Sequence, residues 1–446
     1  MTRFFLYIRN SLTGANPRAV IPNMLLACIF IISCSKGTEP QADGPLTAKA
    51  GLDQFVADVD IDGFGTVTLD GSASQGTIVS YDWSEGGSII ATSVNPTVEL
   101  AIGIHSITLT VADNGGEEAS DEVTVTVNST SGPRQVVATL NFDRFKDNIR
   151  TLSNFGDRSQ FGSGSQSFQD AKAWVVQQLE AVGYTVERHS FTFDGHSREN
   201  VYTTKVGTTS PDKMYIISAH LDGRGGGGAA DDDGSGSALV LEAARAFAEP
   251  GVETEISIRF VWWNNEETGL NGSRAYTIDQ QALQGVENPA GSGDYPEPTW
   301  LGIIQHDMIL YDHGLPAQSE QIPGADIDIE YEAASWRSLQ SLTLANALLA
   351  ANETYSTDYP GEVSNNMCCT DSVPFSEIIP AVSVRENQRL AEIGQGSNPN
   401  YHEPTDLFES YSDADFRLGF NALQMTVGMV AELTQATTPA TRVGLP

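Results

Sequence analysis

Four short runs, most of them continuously apolar, constrain what this chain can fold into: Met214 to Ala219, Ile256 to Trp263, Leu301 to Ile304 and Pro380 to Val384. A strand with one wet face alternates apolar and polar residues, whereas a strand covered on both faces reads as an unbroken apolar run. Helical patterns at about 236–248 and 334–349 fall between these runs. The expectation is an α/β fold in which helices cover both faces of a sheet. A further helix is predicted where Ser167 and Asp170 have capping-box logic and Trp174, Val175, Leu179 and Val182 recur on one face.

The rest of the chain limits the alternatives. With 446 residues there is room for two domains and a leader. A net charge of -34, from 58 acidic and 24 basic residues, argues against partners that are nucleic acid or an anionic bilayer held by broad attraction. Arg3, Arg9 and Arg18 precede an apolar run from Met24 to Ile32, too short to span a bilayer, so residues 1–33 read as a cleavable signal peptide. The run ends in Ile31-Ile32-Ser33-Cys34, which resembles the lipobox of bacterial lipoproteins. That resemblance implies export and a lipid anchor at Cys34, with Ser35 favouring the outer membrane, whereas an ordinary signal peptide would give a secreted protein. Removal of the leader takes Cys28 with it and the lipid takes Cys34, leaving the adjacent Cys368 and Cys369, so no multi-disulfide scaffold is expected.

Residues 34–46 read as a tether, because Gly37, Pro40, Gly44 and Pro45 punctuate a stretch with little to bury. From 47 to 128, short alternating runs such as Val67 to Leu69, Val98 to Leu100, His105 to Val111 and Val123 to Val127 are separated by turn residues, which suggests a small all-β sandwich. Leu69-Asp70-Gly71-Ser72-Ala73-Ser74, Tyr81-Asp82-Trp83, Gly103-Ile104-His105 and Leu109 to Gly115 resemble a PKD-type domain, an immunoglobulin-like sandwich. Trp83 is then its core tryptophan. A polar joint from Asn128 to about Arg134 leads to the α/β part, taken as 137–436.

Ligands of open α/β sheets gather outside the carboxyl ends of strands, and the chemistry-bearing residues sit there. His220 and Asp222 follow the first run, Glu266 and Glu267 the second, and Asp307 the third; Asp232 precedes a helix and His402 comes after the last strand. Two imidazoles and three carboxylates from separate strand ends suit a pair of divalent ions. Taken alone, Asp231-Asp232-Asp233 would be a solvated helix cap and Glu266-Glu267 a surface turn.

The motifs Ala219-His220-Leu221-Asp222, Asp232-Asp233-Gly234-Ser235-Gly236, Glu266 to Ser273, His306-Asp307-Met308 and Tyr401-His402 stand in the order seen in the bacterial two-zinc aminopeptidases. The resemblance implies a zinc-exopeptidase-like mixed sheet flanked by helices, and two zinc ions as cofactors. His220 and Asp307 would hold one zinc, Glu267 and His402 the other, with Asp232 between them. Glu266 would be the general base for a zinc-bound hydroxide, Asp222 would accept the second N–H of His220, and Tyr401 would donate to the oxyanion. The implied function is metallo-exopeptidase hydrolysis at the N-terminal bond of peptides with a free N-terminus.

Several readings stay open at this level. A carboxypeptidase or dipeptidase of the same fold would need cations for a free carboxylate, with Arg224 and Arg385 as candidates; a glutaminyl-cyclase-like member and a non-catalytic binding lipoprotein are the others. His306 competes with Asp307 as a ligand, and family register chooses Asp307. His189, His196 and His313 read as surface histidines. Gly225 to Gly228 either approach substrate closely or form a flexible loop, the second being preferred. Thr370-Asp371-Ser372 departs from the family's usual Ser-Asp-His, which would alter a pocket contact. Cys368 and Cys369 are either bonded or packed thiols, and the first pocket is expected from loops such as Ala282 to Thr299.

Overall fold

The computed structural model describes residues 45–59, 63–312, 327–356, 358–386 and 398–439. The expected signal peptide, Cys34, nearly all of the tether and His313 lie outside the described residues.

The first domain is built from β1 (Gln54–Asp58), β2 (Phe64–Thr68), β3 (Ile78–Glu85), β4 (Ser88–Ala91), β5 (Thr97–Ala101), β6 (Gly103–Asp113) and β7 (Glu118–Ser129). Five strands pair in the order β1-β7-β6-β3-β4 and face the two-stranded β2-β5 ribbon. The strand period of two explains the core: Val123, Val125 and Val127 of β7 are buried while the residues between them are not fully so. They meet Val67, Leu69, Trp83, Leu109 and Val111. Trp83 is fully buried, and its indole N–H donates to the Ser93 carbonyl at 2.9 Å.

The expected polar joint is not a joint. Strand β7 passes to helix α1 (Ser131–Val137) with only Thr130 between them. Asn128 and Thr130 are buried, and the Asn128 amide oxygen and the Thr130 hydroxyl each have an internal partner. The Thr130 hydroxyl donates to the Asp58 carbonyl at 2.6 Å, and the Gln435 amide donates to Asn128 Oδ1 at 2.8 Å.

The second domain continues with α2 (Phe142–Asn154), α3 (Gln166–Ala181), β8 (Val186–Phe193), β9 (His196–Lys205), β10 (Ser210–His220), α4 (Gly234–Ala248), β11 (Ile256–Trp263) and α5 (Asn271–Gln280). It closes with β12 (Thr299–His306), β13 (Ile327–Tyr331), α6 (Ser338–Tyr355), β14 (Gly361–Ser364), β15 (Ala381–Arg385) and α7 (Asp413–Leu433). Two helix starts differ notably from expectation. Ser165, not Ser167, caps α3, its hydroxyl accepting from the Phe168 N–H at 3.1 Å. Helix α6 starts at Ser338 because Ala334 and Ser335 are held in a turn, the Ser335 hydroxyl donating to the Ser376 carbonyl.

The eight strands run in the order β14-β13-β15-β12-β10-β11-β9-β8. Strands β15, β12, β10 and β11 are mutually parallel, whereas β9 runs antiparallel to β11 and β13 antiparallel to β15, so the sheet is mixed. Successive side chains of the apolar runs enter opposite cores. From β10 and β11, Ile217, Ala219, Ile258, Phe260 and Trp262 join the core beneath α2, α3, α4, α6 and α7. Met214, Ile216, Val261 and Trp263 instead join Tyr276, Trp300 and Phe375 on the other face. Arg259 is the charged exception in its run; it is buried against Glu297 and the Tyr276 hydroxyl.

Strand β10 has β11 on one side and β12 on the other. The chain therefore leaves it in one direction through α4 and returns across it through α5, which makes its carboxyl end a topological switch point. Helix α4 is apolar nearly all round and buried along its whole length, so the loop ahead of it is anchored from within.

Helices α6 and α7 cross closely at Gly428. A Cβ there would overlap the ring of Tyr355, which cannot swing away because its hydroxyl donates to Glu432 Oε1 at 2.5 Å. Gly428→Ala should therefore destabilise the protein by about 1–3 kcal/mol in urea unfolding, although alanine is the better helix former.

Candidate metal centre

His220 ends β10, Glu266 and Glu267 follow β11, and Asp307 follows β12; Asp232 lies just ahead of α4 and His402 ahead of α7. The fold brings these six together with Asp232 in the middle. Its Oδ1 lies 3.3 Å from His220 Nε2 and its Oδ2 lies 3.1 Å from His402 Nε2. Glu267 Oε2 stands 3.1 Å from His402 Nε2, and Asp307 Oδ1 stands 3.9 Å from His220 Nε2. The potential ligand atoms fall into two groups, His220 with Glu266 and Asp307, and Asp232 with Glu267 and His402, each within 4.8 Å. A tetrahedral zinc with bonds of about 2.0–2.1 Å keeps its ligand atoms roughly 3.3 Å apart, so the spacing and the N/O donor set both fit that ion. Glu267 Oε1 is buried without a hydrogen-bond partner, as a ligand oxygen would be.

Asp222 is close to its expected place but makes different contacts. The His220 Nδ1 proton has the Asp222 main-chain oxygen at 3.1 Å, while the carboxylate is 3.8 Å away. That carboxylate instead accepts the backbone N–H groups of Glu266 at 3.1 Å and Glu267 at 3.3 Å, because the turn after β11 points its amides into the end of β10. Asp222 thus holds the loop that carries both glutamates. The aspartate triplet is buried rather than solvated, and its members divide the work. Asp233 caps α4 by accepting from Gly236 N–H at 2.9 Å and also accepts from His220 N–H at 3.0 Å; the peptide joining it to Asp232 is cis. Asp231 Oδ1 accepts from Leu310 N–H at 3.0 Å and its Oδ2 from the Asn398 amide at 2.7 Å.

Some of the other readings hold, some that were open are decided, and some are corrected. His306 is no competing ligand: both ring nitrogens are committed, to the Ser218 carbonyl at 3.2 Å and the Thr426 hydroxyl at 2.8 Å, and burial drives its pKa down to about 3. His196 is exposed as expected, but His189 is buried against α5, 3.0 Å from Asp279, because β8 pairs inward of that helix. The glycine run is a close approach rather than a loose loop. A Cβ on Gly225 would stand 2.5 Å from the main chain of His402, and the φ of +88° there suits only glycine. Ser372 is buried in a hydrogen bond with Ser383 at 2.6 Å and does not line the cavity, so the departure from Ser-Asp-His is absorbed inside. Cys368 and Cys369 are not joined by a disulfide, and Cys369 stands in the cavity wall. That wall does not include the segment from Ala282 to Thr299; it is formed by Leu270, Met308, Cys369, Arg385, Tyr401 and Arg224 around the metal-facing carboxylates. Leu270, Met308, Cys369 and His402 all have φ between 57° and 61°, half of the eight non-glycine positive-φ residues described. Such backbone is costly and gathers at functional sites. Tyr401 is about half exposed and stacks on the His402 ring at 3.8 Å.

Four groups support the site in ways that sequence reasoning missed, although it had named Arg385 as a cation for a free carboxylate and Asp371 within the departing motif. Buried Arg158 donates to the carbonyls of Leu152, Leu221, Gly228 and Ala229 and so ties down the loop between His220 and Asp232. Asp406 accepts from the N–H groups of Asp231 at 2.9 Å and Asp232 at 3.1 Å. Asp371 is buried and accepts from the Ser273 hydroxyl at 2.5 Å. Arg385 Nη1 lies 3.2 Å from Asp307 Oδ2. Asp233, by contrast, had a readable signal, a helix start at Gly-Ser-Gly one residue on.

The electrostatics follow from burial. Loss of water pushes the Glu266 carboxyl well above its ordinary range, with Asp371, Asp307 and Glu267 adding to the rise against His220. Burial and Asp232 raise Glu267 to about 7. Burial opposes the charge of Asp307 too, but Arg385 and His220 overcome it and hold its pKa below the carboxylate range. His402 loses water as well, yet Asp232 and Glu267 raise it to about 9. A cluster this acidic calls for added positive charge.

The chain belongs to peptidase family M28, which it matches over residues 200–425; residues 56–127 match a PKD domain. It is 35% identical over 132 residues to leupeptin-inactivating enzyme 1 of Streptomyces exfoliatus, covering 30% of this chain and 29% of that one. It is 25% identical over 294 residues to the probable lipoprotein aminopeptidase LpqL of Mycobacterium tuberculosis, covering 62% and 56%. The chain thus spans less than two thirds of the length of either relative. The fold is that of the LapA aminopeptidase of Legionella pneumophila, with a TM-score of 0.53 at 20% identity over 68% of this chain and 74% of that one.

Asp233→Ala removes a cap and leaves the buried His220 N–H without an acceptor. The expected cost is about 2–4 kcal/mol by denaturant unfolding, with Asp233→Asn recovering part of it.

Proposed function

We propose that the protein is a zinc-dependent aminopeptidase that removes the first residue from peptides with a free N-terminus. The observation that carries this reading is the Asp232 carboxylate, with one oxygen turned to His220 and the other to His402, so that it would serve both metal sites. His220 and Asp307 would hold one zinc and Glu267 and His402 the other. Zinc bound there would polarise the scissile carbonyl and acidify the attacking water.

The chain's own groups have distinct tasks. Glu266, which lines the cavity and would be ionised beside bound zinc, takes the proton of the attacking water and passes it to the leaving amine. Tyr401, in the cavity wall, donates to the oxygen that becomes an oxyanion. Asp222 sets the position of Glu266 through the backbone. The carboxylates around the site attract the substrate's ammonium group, which confines cleavage to the first bond. The Cys34 motif, together with the lipoprotein named among the relatives, supports an exported and outer-membrane-anchored enzyme.

The direct test is hydrolysis of matched aminoacyl amides with free and acetylated amino groups. Free substrates should be favoured at least about tenfold, the worth of one lost charged hydrogen bond; equal rates would refute the exopeptidase reading. Glu266→Ala should keep about two zinc ions per chain by elemental analysis while turnover falls on the order of 10²–10⁴-fold. A zinc-loaded variant with undiminished turnover would remove Glu266 from the mechanism.

A further inference from the structure

We propose that the cavity selects an N-terminal residue with a carboxylate side chain, glutamate or aspartate, and that Arg385 reads that side chain. The proposal rests on the aminopeptidase reading above and names its substrate class.

The cavity holds about 270 Å³, below the roughly 300–1,000 Å³ of pockets for larger ligands, so it has room for one residue beyond the bond being cut. Asp232, Glu266, Glu267, Asp307 and His402 occupy its metal-facing side. The first residue's side chain is left with a wall of Leu270, Met308, Cys369 and Arg385, while Tyr401 and the exposed Arg224 stand at its margin. Leu270 and Met308 suit methylene groups. An apolar side chain would also have to lie against a guanidinium, and a lysine or arginine would meet like charge.

Arg385 is built into this wall rather than reaching in from solvent. It ends β15, which pairs with β12, the strand that leads into Asp307. Its Nη1 is 3.2 Å from Asp307 Oδ2, its Nη2 is 3.4 Å from Met308 Sδ, and 13% of its side chain remains exposed. A guanidinium carries five donors in a rigid fork that matches a carboxylate, and a thioether is a weak acceptor that a carboxylate would readily replace. Asp307 would share its charge with a metal, so it neutralises the arginine only partly. Behind the strand, buried Asp328 sits opposite Arg385 in register, and Glu330 is buried two residues further on. Their charge favours the guanidinium from the β13 side, while Asp307 and Met308 are its contacts at the cavity.

The test compares kcat/KM for glutamyl, glutaminyl, leucyl and lysyl amides of one leaving group. Wild-type protein should prefer glutamyl over glutaminyl by about tenfold to a hundredfold, chiefly through KM, with lysyl poorest. Arg385→Met should abolish that preference and favour leucyl, and Arg385→Lys should keep part of it. An equal fall on all four substrates would show that Arg385 only positions Asp307, and would overturn the proposal. A second readout does not need turnover: zinc-loaded Glu266→Ala should bind free L-glutamate more tightly than L-glutamine by calorimetry, and lose the difference when Arg385→Met is added. Leucyl amide cleaved as well as glutamyl overturns the side-chain assignment and leaves the aminopeptidase reading standing. If no free-amine substrate is cleaved, that reading falls, and glutamate binding no tighter than glutamine then removes this one as well.

Discussion

The carboxyl end of the sheet depends on how a concentration of buried negative charge is tolerated. Asp222, Asp231, Asp232, Asp233, Glu266, Asp307, Asp371 and Asp406 are all buried there. A buried carboxylate without partners costs several kcal/mol, so each needs an answering group. Some are answered by backbone: Asp222 by the amides of Glu266 and Glu267, Asp233 by those of His220 and Gly236, and Asp406 by those of Asp231 and Asp232. Arg158 and Arg385 bring positive charge into the same region. The innermost acids, Asp232, Glu267 and Asp307, are answered by two imidazoles and, at Asp307, by Arg385, which leaves a negative excess that bound zinc would offset.

Rigidity comes from the same contacts. His220 stands on the central strand at the point where the chain reverses direction across the sheet, and the next ligand loop is pinned by a helix buried along its length. Loops that supply the remaining ligands brace one another through backbone, as where Gly225 lies against His402 and the Asp406 side chain holds the amides beside Asp232. Removing a brace would move a ligand without touching one. Strained φ values at four wall residues fit a site whose shape is imposed by its surroundings.

Much of this was legible in sequence because burial on two faces leaves an unmistakable apolar run, and because ligands at strand ends recur with fixed neighbours. The errors have a common cause. His189 and the stretch around Asn128 and Thr130 look polar and therefore exposed, yet each finds internal partners contributed by distant segments. Asp222 has the right spacing to serve His220, but the direction of the next loop's amides claims its carboxylate. The glycine run looks flexible until the His402 main chain is placed against it. Arg158 offers no signal at all, since its partners are four carbonyl oxygens, which every residue possesses.

By itself the sequence determined the α/β and sandwich architectures, the order of the strands that bear chemistry and the six acidic and histidine residues that gather at the strand ends, because periodicity and local motif are properties of neighbouring residues. Tertiary structure alone decided that Asp232 faces both histidines, that Asp222 serves the glutamates, and that Arg385 joins the cavity wall. Those facts depend on which strands lie side by side, and β15 lies beside β12 although the paired Ile303 and Ala381 are far apart along the chain. Distances across a sheet are set by packing of the whole chain and are written in no short segment of it.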